Sequence, residues 1–111
     1  MKHLKPTFIA KLKYRTAEEG GRKTPAKSGY RPQIAFAFSE KQTSGQQIFL
    51  DKEMAYPGDT VKAEITVISP EFFRGKVTVG MTFEFREGVR RIGTGEVLEI
   101  LDKDIELESK I

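Results

Sequence analysis

Val77, Val79, Met81, Phe83 and Phe85 stand at alternate positions, with Thr78, Thr82, Glu84 and Arg86 among the residues between them, and no longer period-two run occurs in the chain. A helix repeats every ~3.6 residues and scatters such a set round its axis, whereas a strand collects it on one face. The pattern predicts a half-buried strand over residues 77–86, apolar inside and hydrophilic outside.

Five further stretches read the same way. In residues 7–15, Phe8, Ala10, Leu12 and Tyr14 share one side while Lys11, Lys13 and Arg15 take the other. Pro32 opens a second strand with Ile34, Phe36 and Phe38 on one side, and the small Ala35 and Ala37 predict that its other side is covered too. A polar turn at residues 40–45 leads to a short third strand, Gln47-Ile48-Phe49-Leu50. Pro57-Gly58 sets a type II turn before a fourth, in which Val61, Ala63, Ile65 and Val67 alternate with Lys62, Glu64 and Thr66 until Pro70 ends it. Of the adjacent Phe72 and Phe73, one ring is expected to reach the core. After a turn at Glu87-Gly88, residues 90–101 form the last strand, whose phase changes at Gly93 and Gly95, as at a bulge or a close backbone approach.

Six strands without a helical stretch predict an all-β domain. A chain of 111 residues holds one core, and it removes its sheet edges most simply by closing into a six-stranded antiparallel barrel; a sandwich is the alternative. The barrel is expected over residues 1–101. Residues 102–111 form an acidic tail in which Ile105, Leu107 and Ile111 suit either a frayed end or a short extra strand.

The segment joining the first two strands is of a different kind. Glu19-Gly20-Gly21-Arg22-Lys23-Thr24-Pro25, then Ser28-Gly29-Tyr30-Arg31-Pro32-Gln33, combines flexible glycines, restricting prolines, an anchoring tyrosine and several cations. This predicts a long ordered loop, the kind of element that carries binding residues. Charge points the same way: residues 1–31 hold nine Lys or Arg against Glu18 and Glu19, while the remainder holds ten against fourteen acids. Such asymmetry suits one basic surface facing an anionic partner, and from charge alone it suits a solvated face with scattered lysines as well. Arg22, Thr24 and Tyr30 also suit a second use, satisfying loop carbonyls and holding the loop to the barrel, with Gly20, Gly21 and Pro25 shaping it.

Much chemistry is excluded. Without cysteine there is no disulfide, thiolate metal site or cysteine nucleophile, and His3 is the sole histidine, so no metal, cofactor or catalytic residue is expected. Neither a signal-peptide run nor a span of membrane length occurs, which leads to the expectation of a cytoplasmic protein with no membrane or DNA partner. Glu84 and Glu87 read as surface carboxylates, and Phe8, Phe36, Phe83 and Phe85 as core rather than base-stacking rings.

Taken in order, the two halves of the glycine-rich segment, Pro57-Gly58-Asp59 and Arg86-Glu87-Gly88 resemble the C-terminal barrel, or third domain, of bacterial elongation factor Tu. The resemblance runs from about Lys5 to Leu101. It implies a non-catalytic six-stranded barrel that packs on the GTP-binding and second domains, touches the T-stem backbone of aminoacyl-tRNA and helps bind the nucleotide-exchange factor. Carried over, it assigns Arg22, Lys23, Arg31, Gln33 and Gly88 to the RNA-facing set. Arginine offers forked donors to phosphate, Gln33 a donor to phosphate or a 2′-hydroxyl, and Gly88 close approach to a backbone amide.

The chain departs from the family pattern at Ser69, where a basic or imidazole side chain is usual, at Val89, which replaces a second glycine, and in longer segments at 40–45, which ends near Ser44, and 71–80. No Gly-x-x-x-x-Gly-Lys-Ser/Thr phosphate loop occurs, and a chain without Asn cannot hold the Asn-Lys-x-Asp guanine-reading motif. Met1 close before the first strand leads to the expectation of an independently encoded domain, although a piece cut from a larger protein would begin the same way. The expected function is therefore a translation-factor-like binding domain for tRNA or another structured RNA. The alternative is a protein-interaction module that has lost RNA binding and docks a translation factor or GTPase domain.

Overall fold

The computed structural model describes residues 5–108. Its long strands are β1 (Phe8–Tyr14), β3 (Gln33–Phe36), β4 (Thr43–Phe49), β6 (Thr60–Val67), β7 (Thr82–Glu87) and β8 (Arg90–Ile100); β2 (Ala26–Lys27) and β5 (Met54–Ala55) are two-residue strands. The six long strands close into a barrel in the order β1-β6-β4-β3-β7-β8, every neighbouring pair antiparallel. Each is hydrogen-bonded on both sides, so the fold is the barrel and not the sandwich. Outside it, β2 pairs with β5. Two 3₁₀ turns, Pro70–Phe73 and Lys103–Ile105, complete the described elements, and no helix is long and apolar enough to cross a membrane.

Alternation builds the core. Phe8, Leu12, Tyr14, Ile34, Ile65 and Phe85 are buried completely or nearly so, each contributing about 1.5–3 kcal/mol before the loss of chain entropy. Their aromatic members meet edge to face, with Tyr14 and Phe85 at 4.9 Å between centroids and Phe8 and Phe83 at 5.4 Å. Phe73 is fully buried and packs on Phe36 at 4.9 Å, while Phe72 is half-buried, so one of that pair fills the core as expected.

The phase change in β8 has both physical causes. Phe85 pairs with Gly93 and Arg86 with Arg91, which leaves Ile92 as the extra residue of a bulge, turned into the core. The rings of Phe83 and Phe85 then lie over the glycines opposite them. A Cβ at Gly95 would sit 2.2 Å from Phe83 and one at Gly93 2.4 Å from Phe85, so these two positions exclude any side chain.

Three strand expectations are corrected. β7 begins at Thr82 instead of Val77, because Gly80 turns the chain with φ +90° and its N–H bonds the Val97 carbonyl; Val79 is left 60% exposed. β4 runs from Thr43, through the expected polar turn, because Thr43 and Ser44 pair with Ile34 and Gln33 of β3; its inward positions Thr43, Gly45 and Gln47 are polar or small and so carry no hydrophobic alternation. The outer side of β3 is not covered: Ala37 is exposed, and with Ala35 it borders an open groove of about 580 Å³ shared with Thr82 and Glu84.

Beyond the barrel, Lys76 and Val77 donate backbone bonds to Ile105, Val77 pairs with Glu106 in a parallel bridge, and Ile105 is fully buried. Residues 102–107 are thus tied to the segment between β6 and β7, and the Asp102 N–H donates to the Thr7 carbonyl beside β1. His3 and Ile111 lie outside the described residues.

Candidate functional site

The loop between β1 and β3 is ordered by local bonds first. Thr16 N–H donates to the Glu19 carboxylate at 2.9 Å and Glu19 N–H to the Thr16 hydroxyl at 3.1 Å, a reciprocal pair that closes the turn. The backbone bond and hydroxyl of Thr16 hold the Glu19 carboxyl below its ordinary value. Gly20 follows at φ +97°. Gly21 is buried against the Arg15 carbonyl, where a Cβ would come within 2.5 Å, so a side chain there would lift the whole loop.

Long-range bonds then seat the loop on the barrel. Gly29 N–H donates to the Gln47 carbonyl at 2.7 Å and Gln47 N–H to the Tyr30 carbonyl at 2.8 Å, while Phe49 N–H donates to the Ser28 hydroxyl at 3.0 Å. With the β2–β5 pair, the loop becomes a partial outer layer. This stitching was not visible in the sequence, since two-residue strands have no period.

At the centre stands Glu87, at the end of β7. Its carboxylate accepts from the Arg22 guanidinium and from the Tyr30 hydroxyl, and Arg22 lies over the Tyr30 ring at 4.8 Å. Arg22 also reaches the Thr24 carbonyl and hydroxyl, each at 3.2 Å, and the Pro25 carbonyl at 3.5 Å. Burial alone would raise the Glu87 pKa, but the bonds from Tyr30 and Arg22 hold it below the ordinary glutamate range. Burial and the neighbouring Glu87 push the Tyr30 hydroxyl well up, and Glu87 outweighs burial to raise Arg22. Arg22 is charged and already engaged.

Beneath this cluster, the buried Tyr14 hydroxyl donates to the Gln47 side-chain carbonyl, and burial raises the Tyr14 pKa. Gln47 is fully buried, and its Nε2 finds no partner among the described residues.

The sequence-predicted residues separate into two groups. Arg22 bonds Glu87, whose chain neighbour is Gly88, and Gln33 pairs in register with Arg86, so these three meet at the β7–β8 hairpin. Gln33 also donates to the Ser44 hydroxyl at 3.0 Å. Gly88 sits exposed at the hairpin tip with φ +61°, beside a wholly exposed Val89. Lys23 and Arg31 are exposed and, among the described residues, lie in no ion pair.

Glu84 and Glu87 are not simple surface carboxylates. Glu84 bridges Arg86 at 2.5 Å and Arg91 at 2.9 Å, and Glu87 organises the loop. Glu87 was within reach of the sequence, since it lies inside the Arg86-Glu87-Gly88 motif, but its partners are a whole barrel away in the chain. Among the described residues, no three His, Asp or Glu side chains come together as a metal site.

Residues 3–101 match the family described as Elongation factor Tu C-terminal domain. All six barrel strands, the glycine-rich loop and the β7–β8 hairpin fall within the match. The chain belongs to the elongation factor Tu C-terminal domain family, whose barrel is a non-catalytic, translation-factor-like domain.

Proposed function

We propose that this barrel binds structured RNA, tRNA foremost, through its sugar-phosphate backbone. The observation that carries the reading is the division of labour in the glycine-rich loop. Arg22 is consumed in fixing the loop, while Lys23 and Arg31, held on that fixed loop, face solvent with no carboxylate paired to them among the described residues. A rigid loop loses little entropy when its cations meet phosphate, so the contact keeps more of its charge attraction. Gln33 and the Gly88 amide add polar contacts to ribose or phosphate, with no base read. Such recognition follows the shape of the RNA, in a protein that works in the cytoplasm, with residues 1–101 as the binding unit and residues 102–111 as an acidic segment whose described part is bonded back to the rest of the chain.

A second reading, a module that docks a protein such as a GTPase domain, draws on one observation. Ile48 and Leu50 are 37% and 50% exposed on the outer side of β4 and just beyond it. The two readings separate by salt. RNA binding falls steeply as salt rises, and Lys23→Ala with Arg31→Ala lowers the slope of log affinity against log salt by about 2. Absence of any tRNA complex at low salt, with a GTPase domain bound instead, would reverse the preference.

A further inference from the structure

The bulge in β8 builds a second cationic feature that the glycine-rich loop does not account for. Strict alternation back from the exposed Thr94 would turn Arg91 inward. With Ile92 inserted, Ile92 and Gly93 are both buried, and Arg90 and Arg91 are both exposed. Arg91 then stands across from Arg86, and the Arg15 guanidinium donates to the Arg91 carbonyl at 3.3 Å. Arg15, Arg86, Val89, Arg90 and Arg91 line an open hollow of about 590 Å³.

The charge in this hollow is only partly balanced, with Glu87 across from Arg90 in register and Glu19 within the electrostatic reach of Arg15. Glu84 is shared between Arg86 and Arg91, and among the described residues Arg15 and Arg90 lie in no ion pair. Four guanidiniums round one hollow repel each other, and an oxyanion relieves that repulsion while accepting forked bonds. Apart from Val89, the lining offers no apolar wall of the kind a peptide anchor needs. Gln33 pairs in register with Arg86, so the hollow adjoins the polar end of the proposed RNA surface.

We propose that this hollow is a phosphate site, and that the phosphate it seats is one of the RNA backbone, carrying the contact from the glycine-rich loop across β7 and β8 to Arg15. The RNA source rests on the reading given under Proposed function; the phosphate chemistry does not.

The test uses the full chain and the variant Arg15→Ala with Arg91→Ala, its folding checked by thermal melting. Arg74→Ala, which removes a cation paired with Asp104, is the charge control. The double variant is expected to lower the salt slope of tRNA binding by about 2 and to weaken binding by about tenfold at low salt, with Arg74→Ala changing neither. Arg-to-Lys exchange at both positions restores part of the loss. In parallel, sodium tripolyphosphate is titrated while the arginine Nε–H signals are followed by NMR, and those of Arg15 and Arg91 are expected to move.

An unchanged salt slope in the double variant overturns the RNA site here and leaves the loop reading standing. Wild-type protein that ignores tRNA while tripolyphosphate moves the Arg15 and Arg91 signals overturns the RNA source and identifies a free polyphosphate as the ligand. No response to either probe, or a stronger response to polyglutamate, overturns the phosphate site itself.

Discussion

Arg22 donates to the Glu87 carboxylate across 65 residues of sequence, and this bond joins the glycine-rich loop to the β7–β8 hairpin. Tyr30 completes the junction by donating to the same oxygen. Glu87→Gln keeps the shape and removes the charge. It is expected to cost about 1 kcal/mol, a value kept small because the Glu87 side chain is 37% exposed. Amide hydrogen exchange is expected to quicken in residues 16–31 and to stay unchanged in β1 and β6.

The same junction is pH-sensitive with a fixed sign. Glu87 is held below its ordinary value of 4.5, so its stabilisation is present above that pH and is lost as pH falls through the depressed folded value. Tyr30 is raised above its ordinary value of 10.0, so its contribution is present below that pH and is lost as the medium becomes more alkaline. Urea denaturation from acid to neutral pH should show wild type losing more stability on acidification than Glu87→Gln. Parallel curves would remove the assignment.

How much of this was legible depends on what each residue leaves in the sequence. Phe8 to Tyr14 and Val61 to Val67 alternate visibly, because a half-buried strand must sort its side chains by face. Val77 and Val79 alternate just as well yet lie outside β7, since a pattern of apolar residues does not show that Gly80 turns the chain. Thr43, Gly45 and Gln47 point inward without being apolar, so the start of β4 was hidden. At the site, the cations and the loop could be read from their residue types. Which cation is spent on Glu87 and which faces solvent depends on contacts between distant segments.

Gly95→Ala is expected to cost about 1–3 kcal/mol, because the new methyl group meets the Phe83 ring and the barrel wall has no room to yield. Phe83→Leu in the same chain removes the clash. A double-mutant cycle by thermal melting therefore gives a coupling of opposite sign to the single losses.

Ile105 is fully buried although it follows the last barrel strand, so Ile105→Ala is expected to destabilise the protein by about 2–5 kcal/mol. A loss below half a kcal/mol in urea titration, on the scale of ordinary surface substitutions, would mean that this stretch is not part of the cooperative unit.

Tyr14→Phe removes the side-chain partner that the buried Gln47 amide has among the described residues, at a cost of about 1–3 kcal/mol, while the packing of the ring on Phe85 is kept. Gln47→Leu in the same chain is expected to recover most of that loss, read from the shift in melting temperature.

RNA binding here depends on the grip of the solvent-facing cations of a rigid loop. Filter binding of tRNA from about 50 to 200 mM salt, for wild type and for Lys23→Ala with Arg31→Ala, addresses it directly. The prediction is a steep fall of affinity with salt in wild type and a slope lower by about 2 in the variant, with melting temperatures equal. Binding that ignores salt, or that both proteins share unchanged, would contradict it.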